Sequence, residues 1–240
     1  MIKLYFKQAF HLLKENKLLS SISIIGTALA IAMIMVIVIT LRATIAPFAP
    51  ESYRDRMLIF RYAGFQYKTN ENWQSNGPVS YKTAKACFKE MAAPEAVTIT
   101  SSFSETMLAA KPAGEKVSCS VLQVDDDFWK VFKFDFLSGY PFDKATFDAG
   151  ATKAVISEDI ARQLFGTSDV VGKTFLLNHS AYMICGVVRP VSKLARYAYA
   201  QIWIPLSSTD AFTASWGEYG IMGMVSVYTV SYTHLTLPTI

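Results

Sequence analysis

The pattern of hydrophobic and polar positions changes along the chain. Residues 2–15 place apolar side chains on one helical face, residues 18–41 are almost entirely apolar, and alternating patterns dominate from residue 97 onward. A period of 3.6 residues predicts an amphipathic helix, and a period of two predicts a strand with one buried face. The order therefore predicts a basic amphipathic helix, a long apolar helix and then a domain of mixed strands and helices.

The apolar stretch 18–41 predicts a transmembrane helix. Its 24 residues carry no charge, and as a helix it would extend about 36 Å, enough to cross a hydrocarbon core of about 30 Å. A buried core helix would keep a polar stripe, and a cleaved signal peptide would have a shorter apolar region and a clearer cleavage site. We therefore interpret it as an uncleaved anchor. Gly26 and Ala30, four residues apart, would allow close packing on another helix, although small residues are also common in spans.

The charges beside this stretch predict its orientation. Four lysines lie within residues 3–17, whereas Arg42 is the only basic residue from there to residue 53. Basic residues near a span remain on the cytoplasmic side. We therefore expect residues 1–17 to form a cytoplasmic amphipathic helix on membrane lipid or on a cytoplasmic partner, and residues 42–230 to form an extracytoplasmic domain.

Turn residues divide this domain into short elements. Serines at 80 and 157 are expected to cap two helices, the first with Tyr81, Ala84, Phe88 and Met91 on one face and the second ending at Gly166. The polar residues 66–78 are predicted to form a loop, with Trp73 packed on the domain or contacting a partner. Strands are predicted at 57–62, 97–101, 105–110, 116–124, 153–156, 201–206 and 224–230, and a hairpin at 174–188 that turns near 178–180.

Charge and cysteine content narrow the classes of function. The net charge of +4 is mild, and no Lys/Arg cluster alternates with aromatic residues, so nucleic acid is not an expected partner. Cys87, Cys119 and Cys185 lack metal-binding or redox spacing. One pair could form a disulfide outside the cell. The apolar neighbours of Cys119 and Cys185 in the strand pattern favour three free, buried thiols instead.

Three patterns suggest chemistry, and each fails on spacing or context. The segment 166–174, GTSDVVGKT, has five residues between its glycines and joins a helix to a strand, unlike a phosphate-binding loop. The aspartates 125–127 lack the alternation, glycine and closing glutamate of a calcium loop, so we expect one of them to cap a short helix whose aromatic residues enter the core. His11, His179 and His234 form no metal or triad pattern. No catalytic, cofactor-binding or metal-binding residue is predicted, and no enzymatic activity is expected of the chain alone.

Four stretches after the span carry a family resemblance. In this order they resemble the extracytoplasmic core domain of MacB-like/FtsX-like ABC transporter permeases, and the stretch 18–41 resembles the first helix of the same family. The most specific part is 153–190, where an A-x-x-L-F-G helix end, a V-x-G-K turn and a G-V-V strand recur in register. The turn 178–180 departs from the family, in which glycine is common. The stretches are RDRMLIFRY (54–62), VLQVDDDFWKVFKFDFLSGYPF (121–142), AVISEDIARQLFGTSDVVGKTFLLNHSAYMICGVVRPV (154–191) and AQIWIPL (200–206).

The resemblance implies an α+β fold of two lobes, one of them a porter-like βαβ lobe, in a permease of the bacterial cytoplasmic membrane. Such permeases have four spans and form homo- or heterodimers. A separate ABC ATPase subunit hydrolyses ATP, and the spans convey this energy to the outer domains, which move to export or release a substrate. A periplasmic adaptor or outer-membrane component is a further partner in the family. The alternatives are an FtsX-type regulator of cell-wall hydrolases and a single-span sensor.

The chain departs from the family at its end. Three further spans are expected after the core domain, yet the sequence stops at residue 240. Its last ten residues, SYTHLTLPTI (231–240), break the pattern and resemble translated cloning sequence. We therefore expect a truncated fragment with a non-native tail.

Overall fold

The computed structural model describes residues 5, 11, 14–67, 70–111, 114, 116–212 and 223–231, without the side chains of residues 65–67, 70–75 and 211. Two units are present, Met1–Ala46 and Pro47–Ile240. Most of the predicted amphipathic helix and the tail 232–240 lie outside the described residues.

Helix α1, Lys17–Ile45, contains the predicted transmembrane stretch and has 29 residues, none of them buried. It is the one helix in the described part of the chain that is long and apolar enough to cross a membrane. The hydroxyls of Thr27, Thr40 and Thr44 each donate to the carbonyl four residues earlier, at 2.7–2.9 Å. Because these hydroxyls are satisfied within the helix, α1 presents no unpaired threonine hydroxyl to a lipid environment.

The second unit, which we call the β domain, contains twelve strands and four short α-helices among the described residues. The helices are α2 (Tyr81–Ala84, continued by a wider turn over Lys85–Lys89), α3 (Phe128–Val131), α4 (Lys144–Asp148) and α5 (Glu158–Phe165). The strands are β1 (Met57–Phe60), β2 (Ala63–Tyr67), β3 (Asn70–Gly77), β4 (Pro94–Ser101), β5 (Glu105–Ala110), β6 (Lys116–Val124), β7 (Phe136–Gly139), β8 (Lys153–Ser157), β9 (Thr174–Leu177), β10 (Ser180–Val188), β11 (Ile202–Pro205) and β12 (Val225–Ser231).

Ten of these strands form one sheet, in the order β1-β12-β4-β6-β11-β8-β10-β9-β5, with β7 paired to β10. Strand β5 also pairs with β6, so β6, β11, β8, β10, β9 and β5 form a closed ring of pairings. The ring is mixed, since β11–β6 and β10–β8 are parallel and the remaining pairs are antiparallel. The predicted mixed α/β class is confirmed, and the long strand β6 joins the ring to the open part of the sheet.

Alternate residues along the ring strands enter two different cores, as the two-residue period of a strand requires. Val121 of β6 and Ile202 of β11 belong to one cluster with Ile160 of α5. Their neighbours Leu122 and Trp203 belong to a second cluster on the other face, with the aromatic residues of α3. A third cluster packs α2 on β4 and β12. The predicted role of the aromatic residues after 127 as core residues is therefore confirmed.

Several local predictions are also confirmed. Ser80 caps α2, because its hydroxyl accepts a hydrogen bond from the Thr83 amide at 3.2 Å. Gly166 ends α5 in the left-handed conformation, with φ of 73°. The hairpin β9–β10 turns at Asn178 and His179, which both have positive φ. Positive φ at both central positions defines the tight turn that matches strand twist.

The predicted loop 66–78 is wrong for most of its length. Residues 66–67 and 70–77 belong to the antiparallel hairpin strands β2 and β3, which pair with no strand of the large sheet among the described residues. Strands β2 and β3 pair through backbone hydrogen bonds, and most of the segment is polar. For that reason the segment carries no hydrophobic alternation that would have revealed its strands.

Expectations about five individual residues are also wrong. Ser157 and Asp127 occupy the N-cap positions of α5 and α3 but make no side-chain capping hydrogen bond. Cys87 is exposed and Cys185 is only partly buried, whereas Cys119 is buried as predicted. Met91 lies beyond the helical turn and is 48% exposed, because the wider turn at residues 85–89 ends the face on which it was placed.

Candidate functional site at the start of the β domain

The segment 47–56, which we call the proximal segment, connects α1 to the β domain in the chain. Glu51 within it is 1% exposed. One of its carboxylate oxygens accepts hydrogen bonds from the amides of Tyr197 and Ala198, at 2.6 and 3.0 Å. The other accepts from Nε of Arg54, whose Nη2 donates in turn to the Leu194 carbonyl. We name this arrangement of Glu51, Arg54 and the backbone of residues 194–198 the proximal clamp.

The proximal clamp is a buried ion pair whose hydrogen bonds reach a distant part of the chain. The side chains of Glu51 and Arg54 are 0% and 4% exposed. A buried carboxylate is stable only when donors replace its water, and removing one partner of such a pair costs about 3–5 kcal/mol. The clamp therefore holds the proximal segment on the loop 189–201, which leads into β11.

Further contacts fix the proximal segment on both sides of the clamp. The amide of Lys133 donates to the Pro50 carbonyl at 2.8 Å, and the Arg54 guanidinium lies 4.4 Å from the centre of the Phe48 ring. Arg56 donates to the Ser231 carbonyl at 2.6 Å and pairs with Glu95. Since β1 also pairs with β12, the first and last strands that the structure describes lie side by side.

A second buried charge cluster joins α2, β4 and α3. Asp125 is fully buried and accepts hydrogen bonds from the Thr98 hydroxyl and, at 2.9 Å, from the Ile99 amide. Its carboxylate lies 2.7 Å from Nζ of Lys89, which also contacts Asp127. The cluster links elements that are more than 25 residues apart and replaces the helix cap predicted at this position.

The ionisation of this cluster follows from its burial. Burial raises the pKa of Asp125 to about 6, although the neighbouring ammonium opposes the shift. Burial alone would lower the pKa of Lys89, but the Asp125 carboxylate beside it raises that pKa. Burial would likewise raise the pKa of Asp127, and the hydrogen bonds from Lys130 and Lys89 lower it. Lys89 therefore stays charged at neutral pH and holds both carboxylates.

The aspartates 125–127 are close enough together to be compared with a metal site. Their carboxylate oxygens lie within 4.8 Å of one another. The Lys89 ammonium already contacts two of the three carboxylates, in the position where a cation would neutralise them. The cluster is thus a salt bridge that connects elements of the fold, and the absence of a metal role remains a prediction.

The other sequence candidates lie apart from both clusters. The segment 166–174 joins α5 to β9, and Lys173 donates from Nζ to the Asp169 carbonyl at 3.1 Å while lying over the Phe165 ring. Lys173 therefore has a local structural role, without the helix N-terminus of a phosphate-binding loop. His11 is exposed, His179 occupies the hairpin turn, and His234 lies outside the described residues.

The proximal clamp has no clear trace in the sequence. Arg54 belongs to the family stretch 54–62 without a predicted role, and Glu51 follows a proline-rich stretch without any pattern. The atoms that Glu51 binds belong to backbone amides 146 and 147 residues further along the chain. A single sequence offers one weak signal, a Glu and an Arg three positions apart, which is also common on exposed helices.

Solved structures share the fold of the β domain. The extracellular domain of the noncanonic ABC-type transporter YknZ from Gram-positive bacteria aligns with a TM-score of 0.51 at 15% identity, over 73% of this chain and 84% of that one. The periplasmic region of MacB from Actinobacillus actinomycetemcomitans aligns with a TM-score of 0.55 at 16% identity, over 76% and 77%. At these identities the likeness shows the fold alone.

Sequence comparison finds relatives of the same kind. The chain is 26% identical over 109 residues to the uncharacterized ABC transporter permease YknZ of Bacillus subtilis (strain 168), covering 45% of this chain and 27% of the relative. It is 30% identical over 92 residues to the macrolide export ATP-binding/permease protein MacB of Pasteurella multocida (strain Pm70), covering 38% and 14%. The matches thus span about a quarter or less of these relatives. A model of the MacB-like periplasmic core domain matches residues 20–231, so the chain belongs to that family.

Proposed function

We propose that this chain is the first span and outer core domain of an ABC transporter permease that transmits mechanical work. In this proposal α1 crosses the bacterial cytoplasmic membrane, residues 1–17 lie on its cytoplasmic side, and the β domain lies outside. A separate ABC ATPase subunit hydrolyses ATP, and the chain works in a permease dimer. The β domain moves to export or release a substrate.

The proximal clamp is the observation that carries this proposal. A span can move an outer domain only if the connecting segment is held firmly, because a loose linker would absorb the displacement. Here the connecting segment is held by a buried ion pair and by hydrogen bonds to the loop 189–201. The family match ends at the last residue of β12, which pairs with β1. If a second span follows β12, the chain would therefore leave the β domain next to the strand β1 by which it enters from α1.

The test measures motion of the domain without requiring a known substrate. The full-length permease, reconstituted with its ATPase, carries a spin label on Cys87, which is exposed in the wider turn after α2. We expect the Cys87–Cys87 distance across the dimer to change between the ADP state and the ATP–vanadate state. The double variant Glu51→Ala/Arg54→Ala should keep its ATPase activity and lose the distance change.

A matched control removes a different ion pair. Glu158 and Arg162 form an exposed pair on α5, so Glu158→Ala/Arg162→Ala should leave the ATP-dependent distance change intact. A distance change that persisted in the clamp variant would refute the role of the clamp. A permease that neither bound an ATPase nor moved with ATP would contradict the function and favour a sensor. A cell-wall hydrolase that copurified with the permease would identify the regulator instead of the exporter.

A further inference from the structure

A polar pocket opens beside the loop 189–201, where β1, β4, β6 and β12 approach it. Its volume is about 290 Å³, near the lower end of the range for small-molecule sites. Two arginines, three tyrosines and several serines line it, and no carboxylate of the described residues does. The arginines are Arg61 and Arg196, and the tyrosines are Tyr197, Tyr199 and Tyr228.

The two arginines of this pocket differ from the other arginines of the β domain. Four of the six arginines in the domain form an ion pair: Arg54 with Glu51, Arg56 with Glu95, Arg162 with Glu158, and Arg189 with Asp135. Within the described part of the chain, Arg61 and Arg196 pair with no carboxylate, and both line the same pocket. Two guanidinium groups without a counter-charge in one concave site attract an anion.

Neighbouring aromatic side chains hold the Arg61 guanidinium in place. The Arg61 guanidinium lies 5.7 Å from the centre of the Tyr197 ring and hydrogen bonds to the Tyr228 hydroxyl. Burial raises the pKa of Tyr228, so its phenol stays protonated at neutral pH and adds no negative charge to the pocket. The Tyr197 and Tyr199 rings are half-buried and present an apolar surface next to the charges. The pocket thus combines two cations with aromatic walls.

We propose that this pocket binds a soluble small organic molecule through its carboxylate or phosphate group, with Arg61 and Arg196 holding the anion. A guanidinium binds such groups with two parallel hydrogen bonds, and tyrosine rings pack on the apolar part of the ligand. The pocket is too small for more than one compact group of this kind. Binding at this pocket does not depend on the proposed role in transport.

The experiment uses phenyl phosphate as the probe and the full chain in nonionic detergent. Isothermal titration calorimetry should show binding of phenyl phosphate at least about tenfold tighter than binding of benzyl alcohol, which lacks the anion. It should also be tighter than binding of inorganic phosphate, which lacks the ring. Arg196→Gln should weaken phenyl phosphate about tenfold, and because Arg196 is exposed this variant should keep its fold. Arg61→Gln should weaken it similarly.

Arg189→Gln is the matched control, because Arg189 is exposed and pairs with Asp135 away from the pocket lining. It should bind phenyl phosphate as the unchanged chain does. Equal affinity for phenyl phosphate and benzyl alcohol, or unchanged affinity in Arg196→Gln, would overturn the proposal. If inorganic phosphate bound as tightly as phenyl phosphate, the proposal that the ligand is an organic molecule would be overturned. If phosphatidylglycerol added to the micelles displaced the probe, the ligand would be a lipid headgroup, and the proposal of a soluble ligand would be overturned.

Discussion

At the scale of single residues, Asp125 connects the start of α3 to two elements much earlier in the chain, β4 and the wider turn after α2. Replacing Asp125 with alanine leaves the Ile99 amide without the carboxylate that accepts its hydrogen bond. It also leaves the Lys89 ammonium without its fully buried carboxylate partner. We expect Asp125→Ala to lower the free energy of unfolding by about 3–5 kcal/mol, the range for breaking a buried charge pair. Urea unfolding of the full chain in detergent, followed by tyrosine and tryptophan fluorescence, measures it.

Its neighbour Asp126 gives a close control. Asp126 carries the same charge in the same turn but is only partly buried and makes no hydrogen bond or ion pair within the described residues. Asp126→Ala should change the free energy of unfolding by about 0.5 kcal/mol or less. If the two variants were equally stable, the buried cluster would have no special part in holding α2, β4 and α3 together.

Cysteine exposure tests the orientation of the domain. Cys87 is exposed, whereas burial raises the pKa of both Cys119 and Cys185 to about 11. Maleimides react with the thiolate and hardly with the thiol, so at pH 7.5 Cys119 and Cys185 should remain unlabelled. We expect a membrane-impermeant maleimide to label intact spheroplasts at Cys87 alone, as read by peptide mass spectrometry. The Cys87→Ser variant should lose this labelling, and labelling only after lysis would place the β domain inside the cell.

At the scale of elements, the sequence predicts the strands whose side chains are buried and misses those that form through backbone pairing alone. Strands β4, β6 and β8 were predicted because their apolar residues reach a core. The hairpin β2–β3 was missed, since its pairing leaves no apolar trace in the sequence. The predicted capping hydrogen bond forms at Ser80 but not at Ser157. A serine hydroxyl caps a helix only when its rotamer faces the first turn, and the residue type does not specify the rotamer.

Helix α1 offers a prediction about association. An added Cβ at Gly26 would meet no atom within 4 Å, so a larger side chain there is compatible with the helix itself. Loss of assembly in Gly26→Leu/Ala30→Leu would therefore report contact with another helix. We expect this variant of the full-length permease to show about tenfold weaker dimer cross-linking in membranes, because close approach of two spans needs small residues.

The same helix contains its own control. At 100° per residue, Ala28 and Ala32 lie on the face opposite Gly26 and Ala30. Ala28→Leu/Ala32→Leu should leave dimer cross-linking unchanged. The reverse result, with loss confined to this pair, would place the helix contact on the other face. Equal cross-linking in both variants would dismiss a packing role for small residues in α1.

At the scale of the whole molecule, family membership was predictable and the proximal clamp was not. The motifs of residues 153–190 lie close together in sequence, so one sequence is enough to reveal them. The clamp joins Glu51 to the amides of Tyr197 and Ala198, which lie 146 and 147 residues further along the sequence. Backbone amides carry no residue-specific signal, so only the folded chain shows that the proximal segment and the loop 189–201 form one structure.

This shared loop predicts that the clamp and the polar pocket influence each other. The amide of Tyr197 binds Glu51, while its ring lies beneath Arg61 at the pocket. Losing the Glu51 carboxylate releases the backbone that positions Tyr197 and Arg196. We therefore expect Glu51→Ala to weaken phenyl phosphate binding about three- to tenfold, as measured by calorimetry. Because coupling between sites is reciprocal, the bound probe should slow amide hydrogen exchange in residues 47–56 by a similar factor.

Glu95→Ala is the control for this coupling. Glu95 pairs with Arg56 of the same proximal segment, but within the described residues it forms no hydrogen bond or ion pair with the loop 189–201. It should leave the affinity for phenyl phosphate unchanged. If Glu51→Ala also bound the probe with full affinity, the pocket and the proximal segment would be energetically independent. A ligand in the pocket could then not affect the proximal segment, through which the span moves the domain in our proposal. A ligand shifts a conformational equilibrium only when it binds the two conformations with different affinity.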